Sequence, residues 1–183
     1  MITKIGTISG RILDLLKKNN GLFVFGEIQS SLNQPHDFIL MSLGWLVREG
    51  HVRILEDPLR VSHRHNGAGQ GYRNDAFMYD LIVDSRFDEA GRSRAKNLAQ
   101  NIRAVAGKVL TLVEGCEDVL ALQTLERSLH ESRAIILMSI GWLIGEEYVR
   151  GINSANDIFI FQVSKENDNP IDRVMKAVNL ICV

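Results

Sequence analysis

Five histidines, two cysteines and a run of alternating glycines are the residues of this 183-residue chain whose chemistry could exceed a structural role. His63-x-His65, on a strand, would place two imidazoles on one face, and His51 could lie opposite. A metal centre needs three or four converging ligands, and solvated loop histidines satisfy the same spacing, so no metal is assigned. Gly67, Gly69 and Gly71 alternate as glycines do around a phosphate. No Lys-Ser/Thr pair follows them and no strand-to-helix turn surrounds them, so they are not a phosphate loop. Cys116 falls at a helix end with no histidine near it in sequence and reads as an inert thiol. Cys116 and Cys182 are too few for a disulfide framework, which makes a reducing cytoplasm the expected location. No catalytic residue and no cofactor is assigned, and the chain reads as non-enzymatic.

The elements that would carry any site come in two copies. Ile39-Leu-Met-Ser-Leu-Gly-Trp-Leu46 recurs as Ile136-Leu-Met-Ser-Ile-Gly-Trp-Leu143, an offset of 97 residues. Held without gaps over residues 5–53 against 102–150, that register makes 16 of 49 positions identical. Many of the others exchange Ile, Leu and Val, so the chain is a duplication.

In each copy the apolar residues recur at helical spacing. Ile5, Ile8, Ile12, Leu15 and Leu16 mark a first helix that Asn19-Asn20-Gly21 ends. A second helix is predicted from Gly26 to Leu32, and Pro35 opens a third that stops near Glu49-Gly50. Strand-type residues follow at His51–Leu55 and Phe77–Val83. The second copy supplies the same pieces at 102–114, 121–129, 132–146, 148–152 and 158–163.

Three helices leading into a β-hairpin is the order of a winged helix-turn-helix. L-G-W-L-x-R-E-G-x-V at 43–52 resembles the third-helix signature of small bacterial and archaeal winged-helix proteins of unknown function. The second copy keeps I-G-W-L-x-x-E-x-x-V at 140–149, with Gly145 in place of Arg48 and Glu147 in place of Gly50. The resemblance covers roughly 50–60 residues per copy; it implies a fold and carries over no catalytic residue.

The expected architecture is mainly α with small β-hairpins (α+β), two tandem winged helix-turn-helix domains plus a C-terminal helix. Domain 1 is assigned to residues 1–84 with a long wing insertion at about 56–76, and a connector helix to 85–101. Domain 2 takes 102–164, and a linker and final helix take 165–183. That final helix bears Ile171, Val174, Met175, Val178 and Ile181 on one stripe. No apolar run reaches the ~18–20 residues of a membrane span, and the N-terminus lacks the apolar stretch and cleavage site of a signal peptide. With 45% apolar and 23% charged residues, disordered, collagen-like and disulfide-scaffold classes are excluded.

A winged helix ordinarily puts its third helix into the DNA major groove. Here the face opposite Ile39, Leu43 and Leu46 carries Asp37, Met41, Gly44, Trp45 and Arg48, and its counterpart carries Ala134, Met138, Gly141, Trp142 and Gly145. Base readout wants Arg, Lys, Asn or Gln, whereas Met and Trp around glycine compose a packing surface. That surface either folds back on its own domain or meets a protein; Met41, Trp45, Met138, Trp142, Met175 and Val178 are the candidate protein interface, with a homodimer expected.

Double-stranded DNA can still be held by its backbone. The net charge of −1 divides into +4 over residues 1–108 and −5 over 109–183. Arg48 on the third helix, Arg53, Arg60, Arg64 and Arg73 on or near the first wing, and Arg92, Lys96 and Arg103 on the connector are the candidate phosphate contacts. The leading expectation is a DNA-associated, transcription-regulator-like protein; the alternative is a protein-interaction adaptor.

Overall fold

The computed structural model describes residues 1–56, 81–85, 98–116, 119–153 and 158–162. Among them the chain is mainly helical with two small antiparallel sheets, an α+β arrangement. The first unit runs α1 (Ile2–Lys18), β1 (Leu22–Val24), α2 (Phe25–Leu32), α3 (His36–Arg48), β2 (Arg53–Glu56) and β3 (Leu81–Asp84). The second runs α4 (Ala99–Glu114), β4 (Leu120–Ala121), α5 (Leu122–Leu129), α6 (Arg133–Gly145), β5 (Val149–Asn153) and β6 (Ile158–Gln162). The predicted wing beyond Glu56, the connector before Leu98 and the C-terminal helix lie outside the described residues.

The duplication is kept in the packing. α1 buries Ile5, Ile8, Ile12 and Leu16, and α4 buries Ile102, Val105, Val109 and Val113 at the matching 97-residue register. These rows pack on α3 and α6, and in each unit a buried serine ties the two helices together. The Ser42 hydroxyl lies 2.7 Å from the Phe38 carbonyl oxygen and 3.1 Å from that of Ile5. The Ser139 hydroxyl lies 2.7 Å from the carbonyl oxygen of Ile135 and 2.9 Å from that of Ile102. In each case the single hydroxyl proton serves either acceptor, so the group is satisfied where water cannot reach.

Each sheet places its last strand in the middle, in the orders β1-β3-β2 and β4-β6-β5. Arg53 stands opposite Asp84 in the first sheet and Arg150 opposite Phe161 in the second. The offset thus drops from 97 to 77 residues at the last strand, so the first hairpin is 20 residues the longer. The extra length falls between β2 and β3, the stretch in which the sequence places its insertion. Arg53 Nη2 donates to Asp84 Oδ2 at 3.1 Å, with the carboxylate side chain 8% exposed.

α3 and α6 end alike. The amides of Gly50 and His51 donate to Val47 and Leu46 carbonyls, and those of Glu147 and Tyr148 to Ile144 and Leu143. This pair of bonds turns the chain through a left-handed residue. Gly50 takes it at φ 73°, but the second unit puts Glu147 there at φ 61°. An L side chain in that region costs about 1–2 kcal/mol. Glu147→Gly is therefore expected to stabilise the chain by about 0.5–1 kcal/mol after glycine's extra unfolded-state entropy is set against it. A urea midpoint no higher than that of the parent would contradict this.

Candidate functional site

The apolar faces of the third helices meet each other. α6 reads RAIILMSIGWLIG, apolar on every side, and a helix of that composition must be buried all round. Its inner side packs on α4 and its outer side on α3. Packed helices ordinarily stand about 8–10 Å apart, held off by the side chains at the crossing. At this crossing the spacer is removed. A Cβ on Gly44 would lie 1.8 Å from the Met138 carbonyl oxygen, and one on Gly141 would lie 1.9 Å from that of Met41. The glycine Cα atoms thus sit within about 3.4 Å of those oxygens, the range of a Cα–H···O contact. The contact is reciprocal, as at a two-fold axis between identical subunits, but both halves belong to one chain.

Charged residues clasp the two ends of the pair. At the start of the helices Arg133 Nη2 donates to Asp37 Oδ2 at 2.7 Å, and Arg133 Nη1 also bonds Glu126. At the far end Arg48 Nε donates to Glu146 Oε1 at 3.1 Å and Nη1 bonds Glu49. N-terminal ends pair together and C-terminal ends pair together, so α3 and α6 run the same way. Burial would raise the Asp37 pKa. The hydrogen bonds and charges of His36 and Arg133 outweigh it and hold the carboxyl below the ordinary range. Burial likewise would lower the Arg133 pKa, but Asp37 and Glu126 raise it, and Glu146 and Glu49 do the same for Arg48.

A depressed carboxylate pKa adds stability that is present above its unfolded value and is lost as pH falls through the folded one. Asp37→Asn is expected to lower the urea midpoint at pH 7, with the gap to the parent closing below about pH 4. A gap that persisted unchanged at pH 3 would show that the Asp37 charge is not what holds that end.

Met41 and Met138 are fully buried where the helices cross, the backbone of each lying against the glycine of the other unit. The face from which a protein contact and a homodimer were expected is therefore covered within the chain, because its composition is self-complementary. Trp45 is half-buried and its ring lies over Gly145, where an added Cβ would stand 3.6 Å from it. Trp142 is half-buried at the equivalent place in the other unit. Met175 and Val178 lie outside the described residues.

Of the assigned cations, Arg48 is committed to Glu146 across the crossing and to its neighbour Glu49, and Arg53 to Asp84 within its sheet. Arg103 is exposed on α4. Arg60, Arg64, Arg73, Arg92 and Lys96 lie outside the described residues, as do His63, His65 and Gly67, Gly69 and Gly71. Sequence reasoning passed over Asp37–Arg133, whose only signal was an acid on one apolar face and a cation opening the other copy's helix.

Among the described residues no three His, Cys, Asp or Glu side chains come together as a metal would require. An open depression is lined by Gln123, Glu126, Arg127 and Arg133, but its Glu126 and Arg133 already serve the clasp. No helix among the described residues is long and apolar enough to cross a membrane. Comparison of the chain with protein-family models, curated proteins and solved structures returns no match.

Proposed function

We propose that the chain is a non-enzymatic tandem winged-helix protein that associates with double-stranded DNA through phosphate contacts, without reading bases through its third helices. The observation that carries the second half of this reading is the reciprocal contact of Gly44 with Met138 and Gly141 with Met41. A helix whose outer face is packed on its counterpart cannot enter a major groove, where base-specific donors and acceptors are presented. Backbone contact needs only exposed cations and is sequence-tolerant. The +4 balance of residues 1–108, against −5 in the remainder, puts that surface on the first unit and the connector. Regulation of transcription by such a protein would act through occupancy or architecture of the duplex.

The test is fluorescence anisotropy with several unrelated duplexes, titrated from about 50 to 200 mM salt. Similar affinities for all sequences, falling steeply with salt, are expected. No binding at micromolar protein and low salt would end the reading. A single preferred sequence whose binding is blocked by methylation of guanine N7 would overturn its backbone-only character.

A protein-interaction adaptor is the second reading, favoured by the half-buried Trp45 and Trp142 and by Tyr148, 51% exposed just beyond α6. Sedimentation and pull-down with Tyr148→Arg test it, since that change leaves the helix crossing intact.

A further inference from the structure

The cations among the described residues divide into paired and unpaired ones. Arg48, Arg53, Arg133, Lys17 and Lys108 each lie within 4 Å of a carboxylate oxygen. Among the described residues, Lys4, Arg11, Lys18, Arg103, Arg127 and Arg150 are exposed with no carboxylate on them. Three of these six, Lys4, Arg11 and Lys18, are spaced seven residues apart on α1. Seven residues make nearly two turns, so the row drifts only about 20° per step and runs along the helix, its members about 10.5 Å apart.

What surrounds the row matters as much as the row. The solvent side of α1 is otherwise Thr3, Gly6, Thr7, Gly10, Asp14 and Lys17, and its one acid faces Lys17 at 3.8 Å. A Cβ at Gly6 or Gly10 would meet nothing within 4 Å, so no described side chain overlies that face. Arg11 keeps a foothold by donating Nη2 to the Leu32 carbonyl at 3.1 Å, and Lys4 rests its ammonium 4.1 Å from the Phe38 ring. Both head groups are thereby held at the surface rather than sweeping freely, which lowers the entropy lost on binding an anion.

We infer that the outer face of α1 is the phosphate-contacting surface, with Lys4, Arg11 and Lys18 tracking the backbone of a DNA duplex. The row spans about 21 Å, the axial length of roughly six base pairs at 3.4 Å per pair. This rests on the DNA-associated reading above and changes its address: the site lies on the first helix of the first unit, a place that charge counting along the sequence does not single out.

The experiment measures binding of a duplex of about 20 base pairs by the full chain as a function of salt. Each phosphate contact adds about 0.9 to the log–log salt slope. Lys4→Gln/Arg11→Gln/Lys18→Gln should flatten that slope by about 2–3 and weaken binding at about 50 mM salt by on the order of 100-fold. Lys4→Gln/Lys18→Gln, which leaves the Arg11–Leu32 hydrogen bond in place, should flatten it by about 2. Arg127→Gln/Arg150→Gln removes the same charge as that pair elsewhere and should leave the slope within about one unit of the parent. Equal losses in the α1 and control variants would overturn the inference, since net charge alone would then explain binding. So would an unchanged α1 variant beside a loss in Arg60→Gln/Arg64→Gln/Arg73→Gln, which would move the site to the wing and spare the DNA reading. Failure of the parent chain itself to bind removes the reading and the inference together.

Discussion

Gly44→Ala and Gly141→Ala are each expected to destabilise the chain by about 3 kcal/mol, at the upper end of overpacking costs. The added carbon would sit 1.8 or 1.9 Å from a backbone oxygen, and no rotamer change can relieve a clash with backbone. The helices must move apart instead, which loosens the buried side chains on both sides of the crossing, Met41 and Met138 first. For a chain of this size the midpoint of thermal unfolding should fall by about 6–12 °C. Gly10→Ala and Gly107→Ala give the internal comparison. They sit at the matching positions of α1 and α4, where a Cβ would meet nothing within 4 Å. There alanine's better helix propensity should stabilise by up to about 1 kcal/mol. Opposite signs for the same chemical change separate close approach from helix propensity. A neutral Gly44→Ala would mean that the helices do not cross where described.

The second large effect belongs to the first sheet. Asp84→Ala is expected to cost about 3 kcal/mol, because it removes a carboxylate, 8% exposed, that accepts from the Arg53 guanidinium, 17% exposed, inside the fold. Attraction between the two is only part of that cost; the rest comes from holding the guanidinium away from water with one opposing charge fewer. Replacing both partners with apolar residues, Arg53→Met/Asp84→Leu, should recover most of it. Chemical denaturation of the two single variants and the double gives the coupling energy directly. A double variant as unstable as the sum of the singles would contradict this view of the pair.

Much of the architecture is legible in the sequence because the duplication acts as its own alignment. α2 and α5, and α3 and α6, fall 97 residues apart end to end, so the periodicity of each helix is checked by that of its copy. Asn19-Asn20-Gly21 stops α1 and Gly50 stops α3 as their turn chemistry dictates. β1, only Leu22–Val24, and β4, only Leu120–Ala121, escape sequence reasoning. Strands that short carry no period of their own and exist because a central strand pairs with them. The strand expected at His51–Leu55 begins two residues late, at Arg53, because Gly50 and His51 are used to close the helix.

The candidate site is legible in composition and not in partner. Met41, Gly44 and Trp45 with their copies read in sequence as a packing surface lacking base-reading groups. Nothing in one copy says what it packs on. The signal emerges only when both copies are placed side by side: two faces that share Met, Gly and Trp, each with a glycine and a bulky neighbour three residues apart, are self-complementary. Likewise Arg48 counts as a cation in sequence, and only the fold puts Glu146 of the other copy against it.

Nuclear Overhauser spectroscopy on the chain labelled at glycine Cα and methionine reads the helix crossing most directly. A Cβ on Gly44 would lie 2.7 Å from the Met138 Cα, and one on Gly141 would lie 2.7 Å from the Met41 Cα, so one α-proton of each glycine should give a strong cross-peak to the opposing methionine. Both cross-peaks are expected at dilute concentration, and both should survive saturation with duplex DNA. Their absence, or their replacement by contacts from Gly44 and Gly141 to base protons, would show that the third helices are open to a groove.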